Sequence, residues 1–513
     1  MKRITAPLLI IFTLLLSLLV GCDGLDENYS TNPNHRLSFS MDTLSFDTVF
    51  TTVGSATRQF MVYNRNDEPL NIEKILLAAP ASSGFRINVD GRKGDQFDNI
   101  RIAAKDSMYV LVEVTVNPNG KDQPLLIQDS VLFSVNGVRQ TVLLEACGQD
   151  VNLIKGGVTL TSNTTLTAQR PYLVYDSLII DEGVTVNIEK GTTLYMHDKA
   201  KIIVGGTIIA NGTGEKPIVF RGDRLDFILN DVLPYDRTPG QWGGIFFKSD
   251  SYNNIFNHVI VRNGSTGVTC ETSDPEKSKL KINNSQFTNM DGNVFTAINS
   301  NVEAANSEFS NATIDVVLLA GGKYNFIHCT IANYMSLKER HSTLKHEESS
   351  YTLRILDNVT VNKAGPYTLS QAYFDNCIID GNHAAANNLE TGELQIAENE
   401  DITVKLRSND FNYRFNHCVI KLKKIESDNF KDVIFITETD ENKMEYRMTG
   451  GDKNKYMYDF RPDKETTPGV GKADLSTSQK YPTDRYGVNR LTNNTPDIGA
   501  YEYVPKEDEE EEK

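Results

Sequence analysis

Phe256-Asn257-His258-Val259-Ile260-Val261 sets a six-residue pattern: apolar, any, Asn or His, a small or β-branched residue or Cys, any, apolar. It returns as Ile282-Asn283-Asn284-Ser285-Gln286-Phe287, Ala304-Ala305-Asn306-Ser307-Glu308-Phe309 and Phe326-Ile327-His328-Cys329-Thr330-Ile331. Leu356-Asp357-Asn358-Val359-Thr360-Val361, Phe374-Asp375-Asn376-Cys377-Ile378-Ile379 and Phe415-Asn416-His417-Cys418-Val419-Ile420 bring the copies to seven. Their third positions lie at 258, 284, 306, 328, 358, 376 and 417, so the gaps are 26, 22, 22, 30, 18 and 41. Self-similarity at a period near 22 is the mark of a stacked coil. The first, fourth and sixth residues are expected to point inward. The Asn or His takes the bend between two strands, where a left-handed backbone is tolerated. Successive turns would then stack about 4.8 Å apart, with like residues in ladders. The gap of 41 fits two turns, or one turn with an insertion.

The flanking sequence extends the same texture. Gly183-Val184-Thr185-Val186-Asn187-Ile188, Gly191-Thr192-Thr193-Leu194-Tyr195, the run Ile202 to Thr213 and Pro217-Ile218-Val219-Phe220 are short apolar strands split by Gly and Asn. Gly240-Gln241-Trp242-Gly243-Gly244-Ile245 and the late Pro496-Asp497-Ile498-Gly499-Ala500-Tyr501-Glu502 complete the set. Together these runs resemble bacterial lipoproteins with a right-handed parallel β-helix, the pectate-lyase-like fold. The resemblance implies a β-helix over residues 151–505 whose Asp-Ile-Gly-Ala-Tyr-Glu ending closes the last turn.

Residues 38–150 alternate differently. Phe60 to Asn64, Leu70 to Ile75, Met108 to Val116, and Val131 to Val135 followed by Asn136-Gly137 and Gln140 to Glu145 read as short strands. Asn-Gly between two β-rich runs predicts a tight hairpin. About 110 residues of such strands predict a β-sandwich of immunoglobulin type. The run from Asp47 to Asn64 with Pro69-Leu70 resembles ASPM/SPD-2/Hydin-like modules, which implies a spacer or interaction domain. The expected fold class is therefore all-β: an N-terminal Ig-like sandwich followed by a parallel β-helix.

The N-terminus carries Lys2 and Arg3, then an apolar run from Pro7 to Val20, then Leu19-Val20-Gly21-Cys22. The span is short for a membrane helix and suits a cleaved signal peptide over residues 1–21. Leu-Val-Gly-Cys resembles the bacterial lipobox, which implies fatty acylation of Cys22, palmitate-type chains and anchoring in a membrane. Asp23, Asp26 and Glu27 resemble the Bacteroidetes signal for export to the outer-membrane surface, whereas in enteric bacteria an Asp after the cysteine favours inner-membrane retention. The expected location is the outer membrane, on the cell surface rather than the periplasmic face. Polar residues 22–37 read as a flexible tether, and the acidic tail 506–513 as disordered.

A formal charge of −16 argues against nucleic acid as a partner. Apart from Cys22, the cysteines at 147, 270, 329, 377 and 418 are odd in number and widely spaced, so they read as buried apolar residues, although one pair could bridge. No paired Asp-Asp followed by Gly-His, and no Arg-x-Lys, marks a lyase or glycosidase centre. His258, His328 and His417 share a repeat position and read as a polar ladder rather than a metal site. His341 and His346 with Glu339, Glu347 and Glu348 match no strong ligand spacing. Arg221-Gly222-Asp223 reads as a chance tripeptide, and Trp242 as a packing residue. Asp-Ser/Thr-apolar triplets at 42–44, 47–49, 106–108, 129–131 and 176–178 resemble Bacteroidetes O-glycosylation acceptors. No catalytic residue, metal or cofactor is expected. The sequence points to an envelope lipoprotein that binds a polysaccharide or an envelope protein through insertions near 221–240, 332–352, 381–412 and 436–458. The alternatives are a polysaccharide lyase or glycoside hydrolase with an atypical site, and a structural subunit of an envelope complex.

Overall fold

The computed structural model describes residues 29–229, 233–340, 350–361, 364–398, 412–437, 442–451 and 456–506. Cys22 and the residues before it lie outside this set, as do His341, His346, Glu347 and Glu348. The chain divides into two compact units at Asp150/Val151.

In the first unit, two five-stranded sheets enclose one core. One sheet runs Ser38–Phe39, Arg58–Tyr63, Ser107–Val114, Phe85–Val89, Arg92–Gly94; the other runs Thr43–Phe50, Val138–Gln149, Leu125–Val135, Leu70–Leu77, Gln96–Ile102. Neighbours are antiparallel except Thr43–Phe50 against Val138–Gln149, which is parallel. Strict alternation builds the core: Val110, Val112 and Val114 are buried while Tyr109 stands 54% exposed. Asn136 and Gly137 both adopt positive φ, 50° and 75°, the geometry a two-residue hairpin demands. Residues 30–37, read from the sequence as the end of a tether, lie against this unit. The Ser30 amide donates to Pro69 O at 3.0 Å and the Leu37 amide to Gln140 Oε1 at 3.0 Å.

The second unit is a parallel β-helix with three long sheets. Among the described residues the first holds eleven strands, from Asn152–Lys155 to Ile434–Ile436; the second nine, from Val158–Leu160 to Leu394–Glu398; the third ten, from Thr164–Leu166 to Phe430–Lys431. The six-residue repeat is the corner where the third sheet turns into the first. His258, Asn284, Asn306, His328, Asn376 and His417 all sit there with φ between 47° and 55°. The first, fourth and sixth positions of these copies point inward and are buried. A phenylalanine from one or other flank of the corner fills each layer, because a large residue on one side faces a smaller one across it. The rings stack as Phe287–Phe309 (5.0 Å), Phe326–Phe374 (5.2 Å), Phe374–Phe415 (4.9 Å) and Phe415–Phe430 (5.3 Å). The fourth position forms a second ladder. The Ser285 amide donates to Ser307 Oγ at 3.1 Å, the Cys329 amide to Cys377 Sγ at 3.4 Å and the Cys377 amide to Cys418 Sγ at 3.4 Å. Cys147, Cys270, Cys329, Cys377 and Cys418 are all free, and all but Cys147 are buried.

Two expectations need correction. Asn358 has the right φ, 54°, but belongs to another corner: it follows the second-sheet strand Leu353–Asp357 and leads into the hairpin Val359–Val361/Ala364–Tyr367. The turns at 328, 376 and 417 are direct neighbours, so gaps of 48 and 41 are single turns with insertions. The corner at Asp432 (φ 51°) is a further copy that the pattern excluded by residue type. Nor does Asp497 to Glu502 close the last turn. It runs back along the outside of the first sheet, with the Gly499 amide on Asn376 O (2.9 Å) and the Ala500 amide on Thr330 Oγ1 (3.0 Å). With the hairpin Tyr446–Thr449/Tyr458–Pro462, it buries Ala332, Ile378, Val419 and Ile436, which would otherwise face water.

Candidate functional site

This roof stops short, and on the earlier turns of the first sheet the outward side chains are half-buried rather than sealed. Register puts outward side chains in columns. Tyr195 pairs with Arg221, Val219 with Ile260, and Arg262 with Thr288, so Tyr195, Arg221, Arg262 and Thr288 rise on successive turns. Beside them the Tyr175 ring stacks on His197 at 4.0 Å.

A second row of asparagines builds the far edge. Asn263, Asn289 and Asn311 take positive φ (66°, 63°, 59°) where the first sheet ends. Asn289 Nδ2 donates to Asn263 Oδ1 at 2.8 Å and to Arg237 O at 2.8 Å, and Asn263 Nδ2 donates to Asp236 O at 2.8 Å. These amides pin the single turn Tyr235–Arg237 onto the sheet and hold Asp236 over the arginine column. Its Oδ1 receives Arg221 Nη2 at 2.9 Å and Arg262 Nη2 at 3.0 Å. Burial, with Arg262 close by, lowers the Arg221 pKa against the pull of Asp236. Burial raises Tyr195. It also raises Asp223, although His197 Nδ1 lies 2.7 Å from its Oδ2 and opposes the shift.

At the roofed end the sheet face deepens into a groove of about 360 Å³, lined by Asp236, Arg262, Asn289, Tyr458, Tyr486 and Tyr501 among others. Tyr486 is 59% exposed although its ring stacks on Tyr501 at 5.4 Å, with the guanidinium groups of Arg461 and Arg485 5.4 and 5.1 Å from its centre. Three carboxyls line the groove and each is engaged. Asp236 holds two arginines, Asp459 accepts Arg461 in bidentate fashion (2.9 and 2.6 Å), and Glu308 accepts Gln286 Nε2, Ser310 Oγ and the Tyr501 hydroxyl. The surface thus offers aromatic rings beside planar hydrogen-bonding groups.

The other singled-out residues fall elsewhere. Arg221 and Asp223 are bound to Asp236 and His197 with side chains only 12% and 10% exposed, so the tripeptide presents no free loop. His258, His328 and His417 do not converge. His328 is fully buried, its Nε2 2.9 Å from Ser478 Oγ and 3.0 Å from Asn376 Nδ2. Trp242 is buried and donates its indole N–H to Arg262 O at 2.8 Å, directly behind the groove. Asp129 is buried and accepts Ser83 Oγ and the Ala79 amide, so this carboxyl of the triplet 129–131 braces the short helix Pro80–Ser83, whereas Asp106 and Ser107 are exposed. Among the described residues no three His, Cys, Asp or Glu side chains converge as a metal site, and no helix is long and apolar enough to cross a membrane.

Residues 157–255 match the family of pectate-lyase like beta helix domains. No curated protein matches the chain. Solved structures with partial likeness include the VesB protease of Vibrio cholerae, 13% identical over 23% of this chain and 32% of that one, with TM-score 0.17. A family 123 glycoside hydrolase from Clostridium perfringens is 9% identical over 25% of this chain and 26% of its own, TM-score 0.17. The ASH/PapD-like domain 7 of human CEP192 is 11% identical over 25% of this chain and 94% of its own, TM-score 0.16. The chain spans under a third of the protease and of the hydrolase, and scores of this size carry no argument about activity.

Proposed function

We propose that this chain is an envelope lipoprotein, anchored through Cys22, whose β-helix binds a polysaccharide along the outer face of its first sheet. The observation that carries this reading is the groove of about 360 Å³ lined by exposed Tyr486, whose Arg262 and Thr288 continue the half-buried column of Tyr195 and Arg221. A regular sheet places these groups at about 4.8 Å intervals, which suits an extended chain better than a compact ligand. Leu19-Val20-Gly21-Cys22 supports the anchor, and the sandwich that follows it in sequence serves as a spacer. A glycan-array screen of the chain starting at Asp23 tests the reading; an array without binding moves the face to a protein partner. Radiolabelled palmitate incorporation, lost in Cys22→Ala, tests the anchor.

One observation favours a second reading. Asp236, Glu308 and Asp459 line one groove, and a glycosidase needs two carboxyls across its scissile bond. Release of reducing ends from a bound glycan, abolished by Asp236→Asn, would establish hydrolysis; an intact glycan after prolonged incubation would leave binding alone.

A further inference from the structure

The three carboxyls and the arginines around them also bear on which sugars the face accepts. We infer that its ligand is an uncharged polysaccharide, a chain of neutral hexoses or pentoses rather than of uronic acids. The inference rests on the glycan-binding reading and narrows it.

The face has arginines but little unspent positive charge. Arg221 and Arg262 converge on one oxygen of Asp236, Arg461 is held by Asp459, and Arg485 lies beside Glu308 with its Nη1 3.3 Å from the Tyr501 hydroxyl. A carboxylate entering the groove would have to displace Asp236 from two guanidinium groups and would then lie against it. Each uronate of a polymer would repeat that cost. The chain as a whole carries a formal charge of −16, so a polyanion also approaches against the field.

Tyr486 adds an exposed ring against which the C–H face of a neutral sugar can lie. From Tyr175 to Thr288 the face crosses five consecutive strands of the first sheet, about 19 Å at the spacing of stacked strands.

Calorimetric titration of the chain from Asp23 with hexasaccharides tests the inference. The probes are unbranched β-1,4-linked glucose, xylose and mannose, against α-1,4-linked galacturonate and β-1,4-linked mannuronate. At least one neutral probe should bind, with a Kd that is unchanged between 50 and 500 mM NaCl and weakened about tenfold or more by Tyr486→Ala. Tyr109→Ala, an exposed tyrosine of the sandwich, should leave it unchanged. Asp236→Asn should release the two guanidinium groups and raise uronate affinity about tenfold, with strong salt dependence. Binding of a uronate probe by the unaltered chain, weakened by salt and by Arg262→Gln, overturns the neutral-sugar inference but keeps glycan binding. Binding of no probe, together with a blank glycan array, overturns both.

Discussion

Arg490 donates to Asn306 Oδ1 at 3.1 Å across 184 residues of sequence. The same guanidinium donates to the carbonyls of Asp497 and Gly499 and pairs with Glu502 at 2.6 Å, with no exposure of its own side chain. One residue thus ties the returning C-terminal segment to a repeat corner, and this segment decides where the roof over the first sheet ends.

Arg490→Met should cost about 3 kcal/mol in urea unfolding, because it strands buried partners. Burial, opposed by Arg490, holds the Glu502 carboxyl up at about 7. Below that pH the group sheds its charge by taking a proton, so the loss should be smaller at pH 5.5 than at pH 8. Equal losses at both would show that the pair is not the fastening.

The inward ladders predict a contrast between shape and chemistry. Phe309→Ala opens a hole in the ring stack and should cost about 3–5 kcal/mol. Cys377→Ser should cost far less, since Ser285 and Ser307 already occupy the equivalent corner. Burial pushes the Cys270 thiol up to about 12 and raises Cys377. A thiol reagent should therefore label only Cys147 in the native protein and all four buried cysteines after unfolding. Rapid native labelling of more than one of these five thiols would contradict the packing.

Asp380 is buried where the roof meets the sheet and accepts the Tyr334 hydroxyl at 2.7 Å, with Lys421 and Glu393 nearby. Burial raises its pKa from 3.8 to about 6, against the pull of Tyr334 and Lys421. The folded state therefore holds a proton that the unfolded state releases, so this stability is full below pH 3.8 and is lost as pH rises through about 6. Asp380→Asn lacks that slope. Relative to the parent it should gain up to ~3 kcal/mol between pH 4 and 7; a constant difference across that range would refute the shift.

Much of the coil was legible because a left-handed corner admits few residue types. Asn and His at 258, 284, 306, 328, 376 and 417 announce it, while Asn358 meets the same backbone demand at a different corner and so mimics a repeat. The asparagine row behind the candidate face was equally open to reading, since Asn263, Asn289 and Asn311 each follow a repeat corner by five residues. The roof was not. Its contacts join irregular segments to strands more than a hundred residues away and leave no local period, as with Arg490 and Asn306. Without the roof, nothing in the sequence distinguishes Arg262 at the groove from Lys421 under cover. In the sequence Arg221 stands out only within a tripeptide whose charges are both spent.

Trp242 gives the most direct test of the binding face. It is the only tryptophan in the chain, buried, with its indole N–H on the carbonyl of groove-lining Arg262. Emission excited at 295 nm should change saturably as a bound glycan is titrated in, with the midpoint shifted about tenfold by Tyr486→Ala. Tight glycan binding that leaves Trp242 emission unchanged and survives Tyr486→Ala would place the ligand elsewhere and contradict the account.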